Sequence, residues 1–291
     1  MELRHLRCFV MLSETLHFAR AAERLEISPP ALTKQIQEIE RFLDVRLFHR
    51  TKRSVSLSSA GEVFLQEALR TLQQAARAEE AARRAGRGEI GKIEIGYIAS
   101  AAYTGLLQTA IAGFRSSYPQ VQLNLMEAAM DTLPLQVSNG SIDLAFVRPP
   151  VDCPADVMLT TLLTDEFVVA LPLHSPLARQ ELLSAAALAT QLFILPEQPA
   201  GTIEVGRRGR FVPRTMANPG GLVAVVTLVS LGQGVAIVPA SVMETVNMPG
   251  VVYRRIAGKS IPGSIALASR RHEKSAVVRA FLQQLKQLKQ R

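Results

Sequence analysis

Residues 18–43 read FARAAERLEISPPALTKQIQEIERFL, and this stretch decides the fold of the N-terminal part of the chain. The apolar residues of its first third recur at helical spacing and predict a short amphipathic helix over 18–25. Ser28 follows as a helix N-cap, because its hydroxyl can accept a hydrogen bond from a backbone N–H. Proline is favoured in the first turn of a helix, so Pro29 and Pro30 mark where a second helix begins.

The second helix carries one apolar stripe, whose residues follow at steps of four, three and four: Leu32, Ile36, Ile39 and Leu43. Another apolar helix precedes the pair, with Leu6, Phe9 and Val10 on one side. Three helices are therefore expected in the first 45 residues or so.

A basic hairpin is predicted after these helices. Apolar pairs flank the turn Thr51-Lys52-Arg53, and five basic residues fall within eight positions with no acid among them: Arg46, His49, Arg50, Lys52 and Arg53. Three helices and a cationic hairpin are typical of a winged helix-turn-helix, in which one helix enters the major groove of DNA. The basic hairpin would then contact phosphates. A plain three-helix bundle with a solvated basic loop is the alternative that spacing alone leaves open.

The segments MELRHLRCFV, FARAAERLEISPPALTKQIQEIERFLDVRLFHRT and LSSAG resemble, in order and spacing, the LysR-type transcriptional regulators. The resemblance covers residues 1–60 and implies a DNA-binding head. Family members usually have Ser-Gln-Pro where this chain has Ser28-Pro29-Pro30, and Pro29 offers no side-chain donor. The residues expected to contact DNA are Ser28, Pro29, Pro30, Ala31, Thr33, Lys34, Gln35, Arg50, Lys52 and Arg53.

Residues 61–85 predict a long helix, because they are rich in Ala, Leu, Glu, Gln and Arg. Its apolar stripe is narrow and consists of Leu65, Leu69, Leu72 and Ala76. Such a stripe favours pairing with a second helix, and the resemblance implies a dimerising linker. Packing against its own domain is the alternative.

From Lys92 onward, strands alternate with helices. The predicted strands are KIEIGYI, VQLNLME, IDLAFV, TDEFVVAL, QLFIL, GVAIV and SIALAS, with helices over 101–118, 131–139 and 275–290. Alternation of this kind predicts parallel sheets covered on both faces. The pattern fits one enzyme domain or two lobes around a cleft; the resemblance implies two lobes, like a type II periplasmic binding protein.

Ligands of open α/β sheets lie at the carboxyl ends of the strands. Ser100 and Ala101 follow the first strand and open a helix whose N-terminus would suit a carboxylate. The full set of expected effector-binding residues is Ser100, Ala101, Met130, Arg148, Pro196, Gly201 and Thr202. Ser100 as a helix cap, Arg148 as a surface ion pair and Met130 as core filling are the ordinary alternatives. At the position of Met130, members of the family that this chain resembles carry a side chain with a hydroxyl, so the resemblance implies a more apolar pocket here.

Composition and motifs exclude several function classes. The two cysteines, Cys8 and Cys153, lie far apart, which indicates a reducing cytoplasm and permits no disulfide within the C-terminal half. No signal peptide is apparent. Residues 220–243 carry no formal charge, but two glycines and a proline interrupt them, which favours a buried helix and strand over a membrane span. The five histidines have no metal spacing, and no nucleophile or dinucleotide motif is present, so neither an enzyme nor a cofactor is expected.

The sequence therefore predicts a cytoplasmic, sequence-specific transcription factor. Its expected parts are a DNA-binding domain over 1–60, a linker helix over 61–88 and an effector-binding domain over 89–291. Within the last part, lobe 1 would span about 92–162 and 266–291, and lobe 2 about 163–265. The expected partners are double-stranded DNA, a small organic anion and RNA polymerase. The chain is also expected to form a homodimer that assembles to a homotetramer, and no membrane association is expected. A net charge of +8 is consistent with an anionic partner. The competing hypothesis is a cytosolic small-molecule-binding protein or enzyme without base readout.

Overall fold

The computed structural model describes residues 1–51, 54–217 and 219–288. The chain forms two compact units, Met1–Arg84 and Ala85–Arg291. The elements of the first unit are α1 (Leu3–Thr15), α2 (Phe18–Arg24), α3 (Pro29–Leu43), β1 (Phe48–Arg50), β2 (Val55–Leu57) and α4 (Ser59–Gly86).

The predicted boundary between α2 and α3 is confirmed. The Ser28 hydroxyl accepts a hydrogen bond from the Ala31 N–H at 3.3 Å, and the two prolines occupy the first positions of α3. Leu32, Ile36 and Ile39 are buried as predicted, whereas Leu43 is only partly buried. Together with α1 and α2 they enclose one apolar core, to which Phe9 contributes a fully buried ring.

The predicted hairpin, here called the wing, consists of β1 and β2. The strands pair antiparallel from Phe48 opposite Leu57 to Arg50 opposite Val55. The Thr51 N–H donates to the Ser54 carbonyl at 2.9 Å, so this bond joins the two ends of the turn between the strands. Lys52 and Arg53, which the sequence analysis places at the tip of the wing, lie outside the described residues.

Helix α4 begins at Ser59, because the Ser58 hydroxyl caps it by accepting from the Gly61 N–H at 3.0 Å. Its apolar stripe divides between two environments. Leu65 and Leu72 pack against the core of the first unit, as the alternative interpretation proposed. Leu69 is 42% exposed and remains available for another partner.

The second unit has two α/β lobes. Its helices are α5 (Ala99–Tyr103), α6 (Leu106–Ser117), α7 (Leu133–Ser138), α8 (Ala200–Gly209), α9 (Leu222–Ser230), α10 (Ala240–Thr245) and α11 (Ala276–Leu288). Its strands are β3 (Gly91–Tyr97), β4 (Val121–Glu127), β5 (Leu144–Val147), β6 (Val157–Pro172), β7 (Leu182–Leu183), β8 (Leu192–Ile194), β9 (Arg214–Met216), β10 (Ala236–Pro239), β11 (Val251–Ile256) and β12 (Pro262–Arg270).

The sheet runs in the order β4-β3-β5-β12-β6-β11-β7, with β10 also pairing with β6. The prediction of all-parallel sheets is wrong. Strands β4, β3 and β5 are parallel, but β12 runs antiparallel to both β5 and β6, and β6 runs antiparallel to β10 and β11. Strand β11 was not predicted at all.

Strands β6 and β12 pass from one lobe into the other. The first half of β6 pairs with β12, and its second half pairs with β10 and β11. Their register shifts between Ile265 and Ala266, which face Leu163 and Thr161, so that Leu162 is an extra residue. The apolar core of lobe 1 contains Phe114, Phe146 and Phe281, while two further cores cover opposite faces of β6 in lobe 2.

One predicted helix differs from the structure. The helix expected over 101–118 is divided into α5 and α6, because Gly105 adopts a left-handed conformation with φ of 72° between them. The uncharged segment 220–243 forms α9 and β10, as predicted. Among the described residues, no helix combines the length and the apolarity needed to cross a bilayer.

Candidate functional site

The N-terminal end of α3 presents an exposed surface. Ser28, Pro29, Pro30, Ala31 and Lys34 are exposed, as a base-reading surface requires. Thr33 and Gln35 are partly buried. The Thr33 hydroxyl donates to the Pro29 carbonyl at 2.9 Å, so only its acceptor capacity remains unused.

Arg50 differs from the free cation that the sequence suggests. Its Nη2 donates to Glu40 Oε2 at 2.8 Å, and its guanidinium lies 5.2 Å from the centre of the Phe18 ring. The side chain is 25% exposed, so it connects α2, α3 and the wing while keeping one edge accessible. Sequence analysis missed Glu40, because an acid ten residues away gives no local signal.

Glu40 is a buried carboxylate that organises the head. It is 5% exposed and accepts hydrogen bonds from the backbone N–H groups of Leu47 and Phe48 at 2.9 and 3.2 Å. It also accepts from Arg46 at 3.3 Å. The last turn of α3 therefore holds the start of the wing by main-chain as well as side-chain bonds.

A small cavity of about 50 Å³ lies between the two lobes of the second unit. This inner pocket is lined by Ile98, Ala99, Ser100, Glu127, Met130, Arg148, Phe167, Pro196, Glu197, Gln198, Gly221, Leu222 and Pro239. Four of the expected effector residues are in this set: Ser100, Met130, Arg148 and Pro196.

Arg148 is the principal polar group of the inner pocket. Its side chain is only 2% exposed. Its Nε donates to Ser100 Oγ at 3.3 Å and its Nη2 to Asp165 Oδ2 at 3.2 Å, whereas Nη1 has no partner among the described residues. Burial lowers the pKa of Arg148, and the nearby Asp165 carboxylate opposes that shift. Arg148 is therefore in an ion pair, but in a buried one and not at the surface.

Gly263 on β12 allows this arrangement. A Cβ added there would lie 2.7 Å from Arg148 Nη1 and 3.1 Å from the Phe167 ring. Asp165 is held in turn by the Ser241 hydroxyl, which donates to Oδ2 at 3.1 Å. The guanidinium is thus fixed by contacts from both lobes.

Ser100 is not a helix cap. The N-cap of α5 is Ile98, which makes no side-chain capping bond, and Ser100 instead accepts from Arg148. Helix α5 has 5 residues, too few for the dipole that the sequence analysis assigned to a longer helix. The long helix on which the expected carboxylate site rested is therefore absent at this position, although Ser100 itself lines the pocket.

Ala101, Gly201 and Thr202 are buried but do not line the inner pocket. A Cβ at Gly201 would lie 2.7 Å from Ile237 and 2.9 Å from Phe167, so this glycine permits α8 to pack closely against the sheet. The Thr202 hydroxyl is 1% exposed and has no partner among the described residues.

Two consecutive residues of lobe 2 form hydrogen bonds to the backbone of lobe 1, and sequence analysis missed both. Glu197 Oε1 accepts from the Met130 N–H, and Gln198 Nε2 donates to the Arg148 carbonyl at 2.6 Å. Gln198 Oε1 is buried without a partner among the described residues. Both follow Pro196 directly, so the end of β8 was the signal that could have identified them.

A wider outer recess of about 650 Å³ adjoins the inner pocket. It is lined by Glu127, Ala128, Ala129, Met130, Asp131, Glu197, Gly220 and Gly221. Four of these residues also line the inner pocket, so the two cavities are continuous.

Neither cysteine forms a disulfide. Burial raises the pKa of both the Cys8 and the Cys153 thiols, which disfavours the reactive thiolate. Within the described part of the chain, no cluster of acids, histidines and cysteines could hold a metal ion.

Relatives of known class share nearly the whole chain. The transcriptional regulator AlsR of Bacillus subtilis (strain 168) is 31% identical over 97% of this chain and 94% of its own length. The transcriptional regulator BudR of Raoultella terrigena is 34% identical over 97% of this chain and 99% of its own. In both relatives the function is regulation of transcription and not catalysis.

Solved structures agree with these relatives. CbnR in complex with its target DNA superposes with a TM-score of 0.84 at 25% identity, covering 99% of this chain and 100% of that one. Full-length BenM gives a TM-score of 0.58 at 25% identity, covering 99% and 96%.

Two family descriptions match the chain in succession. Residues 3–62 match the bacterial regulatory helix-turn-helix protein, lysR family, and residues 86–290 match the LysR substrate binding domain. Residues 3–62 thus form a helix-turn-helix domain of a DNA-binding regulator, and the interlobe cavity lies within the LysR substrate binding domain. The chain belongs to the LysR family and is a DNA-binding transcriptional regulator, not an enzyme.

Proposed function

We propose that this regulator is switched by a small organic effector that carries a carboxylate and binds in the inner pocket. One observation carries the proposal: Arg148 lines the cavity with a buried Nη1 that lacks a hydrogen-bond partner. A buried guanidinium nitrogen without an acceptor is costly, and a carboxylate oxygen is the acceptor that best compensates it. Ser100, Met130 and Pro196 form part of the pocket wall, while Ala101, Gly201 and Thr202 are buried outside the lining.

Effector binding would act on the contacts that join the lobes. Glu197 and Gln198 connect lobe 2 to the backbone of lobe 1 at the pocket itself. A ligand in the pocket competes with these bonds or adds to them, and so changes the preferred angle between the lobes. Coupling of this kind is reciprocal, so operator DNA should also change effector affinity.

DNA readout is assigned to the exposed end of α3, with Pro30, Ala31, Thr33, Lys34 and Gln35 facing bases and Ser28 and Pro29 at the entry of the helix. Arg50, Lys52 and Arg53 would contact phosphates. The protein would act in the cytoplasm as a dimer, assembling to a tetramer and acting on RNA polymerase at the promoter. The heptad-like apolar stripe of α4, in which Leu69 is 42% exposed, supports the dimer, because such a stripe favours pairing with a second helix.

The effector part is tested with Arg148→Lys. Lysine keeps the positive charge beside Asp165 but removes the fork of guanidinium donors. We expect this variant to bind operator DNA as the wild type does and to lose its response to carboxylate effectors in a mobility-shift titration. The control is Arg207→Lys, the same change at an arginine whose side chain is 72% exposed. An unchanged response in Arg148→Lys would refute the assignment.

The DNA part is tested with Lys34→Ala, using DNA from the region flanking the coding sequence. This change should alter the preferred sequence by about 1 kcal/mol or more at one position. Arg41→Ala, at an exposed residue of the C-terminal end of the same helix, should leave sequence preference unchanged. Equal losses for both variants on every DNA sequence would indicate binding without base readout.

A further inference from the structure

The proposed carboxylate leaves most of the charge in the cleft unexplained. Glu127 and Glu197 line both cavities, and Asp131 lines the outer recess. Arg148 is the one cation among the described lining residues, and Asp165 already pairs with it at 3.2 Å. In a chain whose net charge is +8, this cleft is locally acidic.

An acidic approach disfavours a simple anion. Carboxylates that line a concave surface concentrate cations and repel anions, because their fields add within the cleft. A ligand that carried only a carboxylate would therefore meet three like charges on its way to Arg148. A ligand that also carried a positive group would be attracted by the same residues.

The unpartnered polar atoms of the pocket have opposite character. Arg148 Nη1 is a buried donor without an acceptor, and Gln198 Oε1 is a buried acceptor without a donor. The orientation of the Gln198 amide is determined by its Nε2, which donates to the Arg148 carbonyl at 2.6 Å. One ligand with an acceptor at one end and a donor at the other would satisfy both atoms.

The acidic residues stand next to the unpartnered acceptor. Glu197 precedes Gln198 in the chain, and one of its oxygens is engaged by the Met130 N–H. Its second oxygen, together with Glu127 across the cavity, leaves carboxylate acceptors for a charged donor. Ammonium has three N–H donors, which matches an amide oxygen and two carboxylates.

We propose that the effector is an amino acid, with its carboxylate at Arg148 and Ser100 and its ammonium group at Glu197, Gln198 and Glu127. This inference rests on the proposed function, because it keeps the carboxylate site and adds the second group. Specificity then resides in the acidic residues: Arg148 accepts any carboxylate, and the glutamates select those that bear an amine.

The test compares matched pairs of ligands on the full-length protein. The proteinogenic amino acids and the carboxylic acids with the same carbon skeleton but no amine are screened by thermal shift, and the hits are measured by calorimetry. At least one amino acid should bind about tenfold more tightly than its partner that lacks the amine. Equal or tighter binding of the partner would overturn the inference.

Variants locate the selecting groups. Glu197→Gln keeps an oxygen for the Met130 N–H but removes the charge, and Glu127→Gln removes the charge across the cavity. Each should reduce the preference for the amine and leave binding of the simple acid equal or stronger. Glu181→Gln, at an exposed acid outside both cavities, is the control and should change nothing. A preference that survives both glutamate changes would also refute the assignment.

The outcomes separate this inference from the proposed function. Binding of simple carboxylates without a preference for the amine removes the ammonium site and leaves the carboxylate site standing. Binding of neither set removes both.

Discussion

Glu40→Ala tests whether one buried carboxylate holds the DNA-binding head together. The substitution removes the acceptor for two buried backbone N–H groups, at Leu47 and Phe48, and for the partly buried guanidinium of Arg50. Each orphaned backbone donor costs about 1–3 kcal/mol, and breaking one side of a buried ion pair costs about 3–5 kcal/mol. These contributions overlap, so we expect a loss of about 3–5 kcal/mol in the free energy of unfolding of the head.

Two further variants separate the contributions. Glu40→Gln keeps an oxygen for the backbone N–H groups but loses the charge toward Arg50, and should cost about 1–2 kcal/mol. Glu67→Ala is the control, because Glu67 is 60% exposed and pairs only with Arg70 at the surface. Removing such a pair should change stability by less than about 1 kcal/mol.

The assay is calorimetry of the full-length protein, with far-ultraviolet circular dichroism, since the chain has no tryptophan to report by fluorescence. For a unit of about 84 residues, in which 1 kcal/mol shifts the midpoint by about 4–8 °C, the expected loss lowers the midpoint of the head by on the order of 10–40 °C. Hydrogen exchange of the Leu47 and Phe48 amides gives a local measure. If the free energies of unfolding of Glu40→Ala and Glu67→Ala differ by less than about 1 kcal/mol, buried unsatisfied donors do not carry the expected cost at this site.

Three other predictions follow from close contacts, exposure and charge. Gly61→Ala should destabilise the head by about 2 kcal/mol or more, because its Cβ would overlap a backbone carbonyl, whereas Gly86→Ala meets no atom within 4 Å and should be neutral or slightly stabilising in the same thermal scan. Leu69→Glu should shift the full-length protein to a smaller species in light scattering at micromolar concentration; an unchanged mass would exclude this face from the dimer. Hydrogen bonds from two arginines of α8 lower the pKa of Glu204 from 4.5 to about 2. The contribution of this pairing to the stability of the fold is therefore present above about pH 4.5 and is lost as the pH falls toward about 2. The difference in stability between wild type and Glu204→Gln should accordingly vanish in acid, and a difference that persists there would contradict the pairing.

The local signals in the sequence were sufficient for the head. Ser28 and the proline pair place the start of α3 by capping and by fixed backbone angles, which depend on neighbours within four residues. The wing follows from two apolar pairs around a turn. Glu40 could not be identified in the same way. Its partners lie six to ten residues further along the chain, and no local periodicity relates an acid to partners at that separation.

Strand direction in the second unit could not be read from the alternation of elements. Helices between strands favour parallel neighbours, but β12 is reached after the chain has returned from lobe 2, so it enters the sheet from the opposite end. Strand β11 escaped detection because its two arginines interrupt the apolar pattern. Gly105 ended α5 early for a conformational reason, its positive φ, which composition alone does not reveal.

Four of the seven expected effector residues line one cavity, while their role in binding an effector stays a prediction. Strand ends placed Ser100, Met130, Arg148 and Pro196 around one cavity. Their partners Asp165, Glu197 and Gln198 come from other strands and from the other lobe, so the charge balance of the cleft required three-dimensional coordinates.

The paired strands β6 and β12 limit how the two lobes can move. Loops that join domains can swing freely, but these two connections are hydrogen-bonded to each other along their length. The lobes therefore cannot separate as on an open hinge without shearing a ladder of main-chain bonds. The extra residue at Leu162 is the point of least resistance, because a bulge tolerates added twist. Ligand binding should consequently be transmitted as small changes in the twist of these two paired strands. A substitution that removes the bulge should abolish this transmission while leaving both binding sites intact.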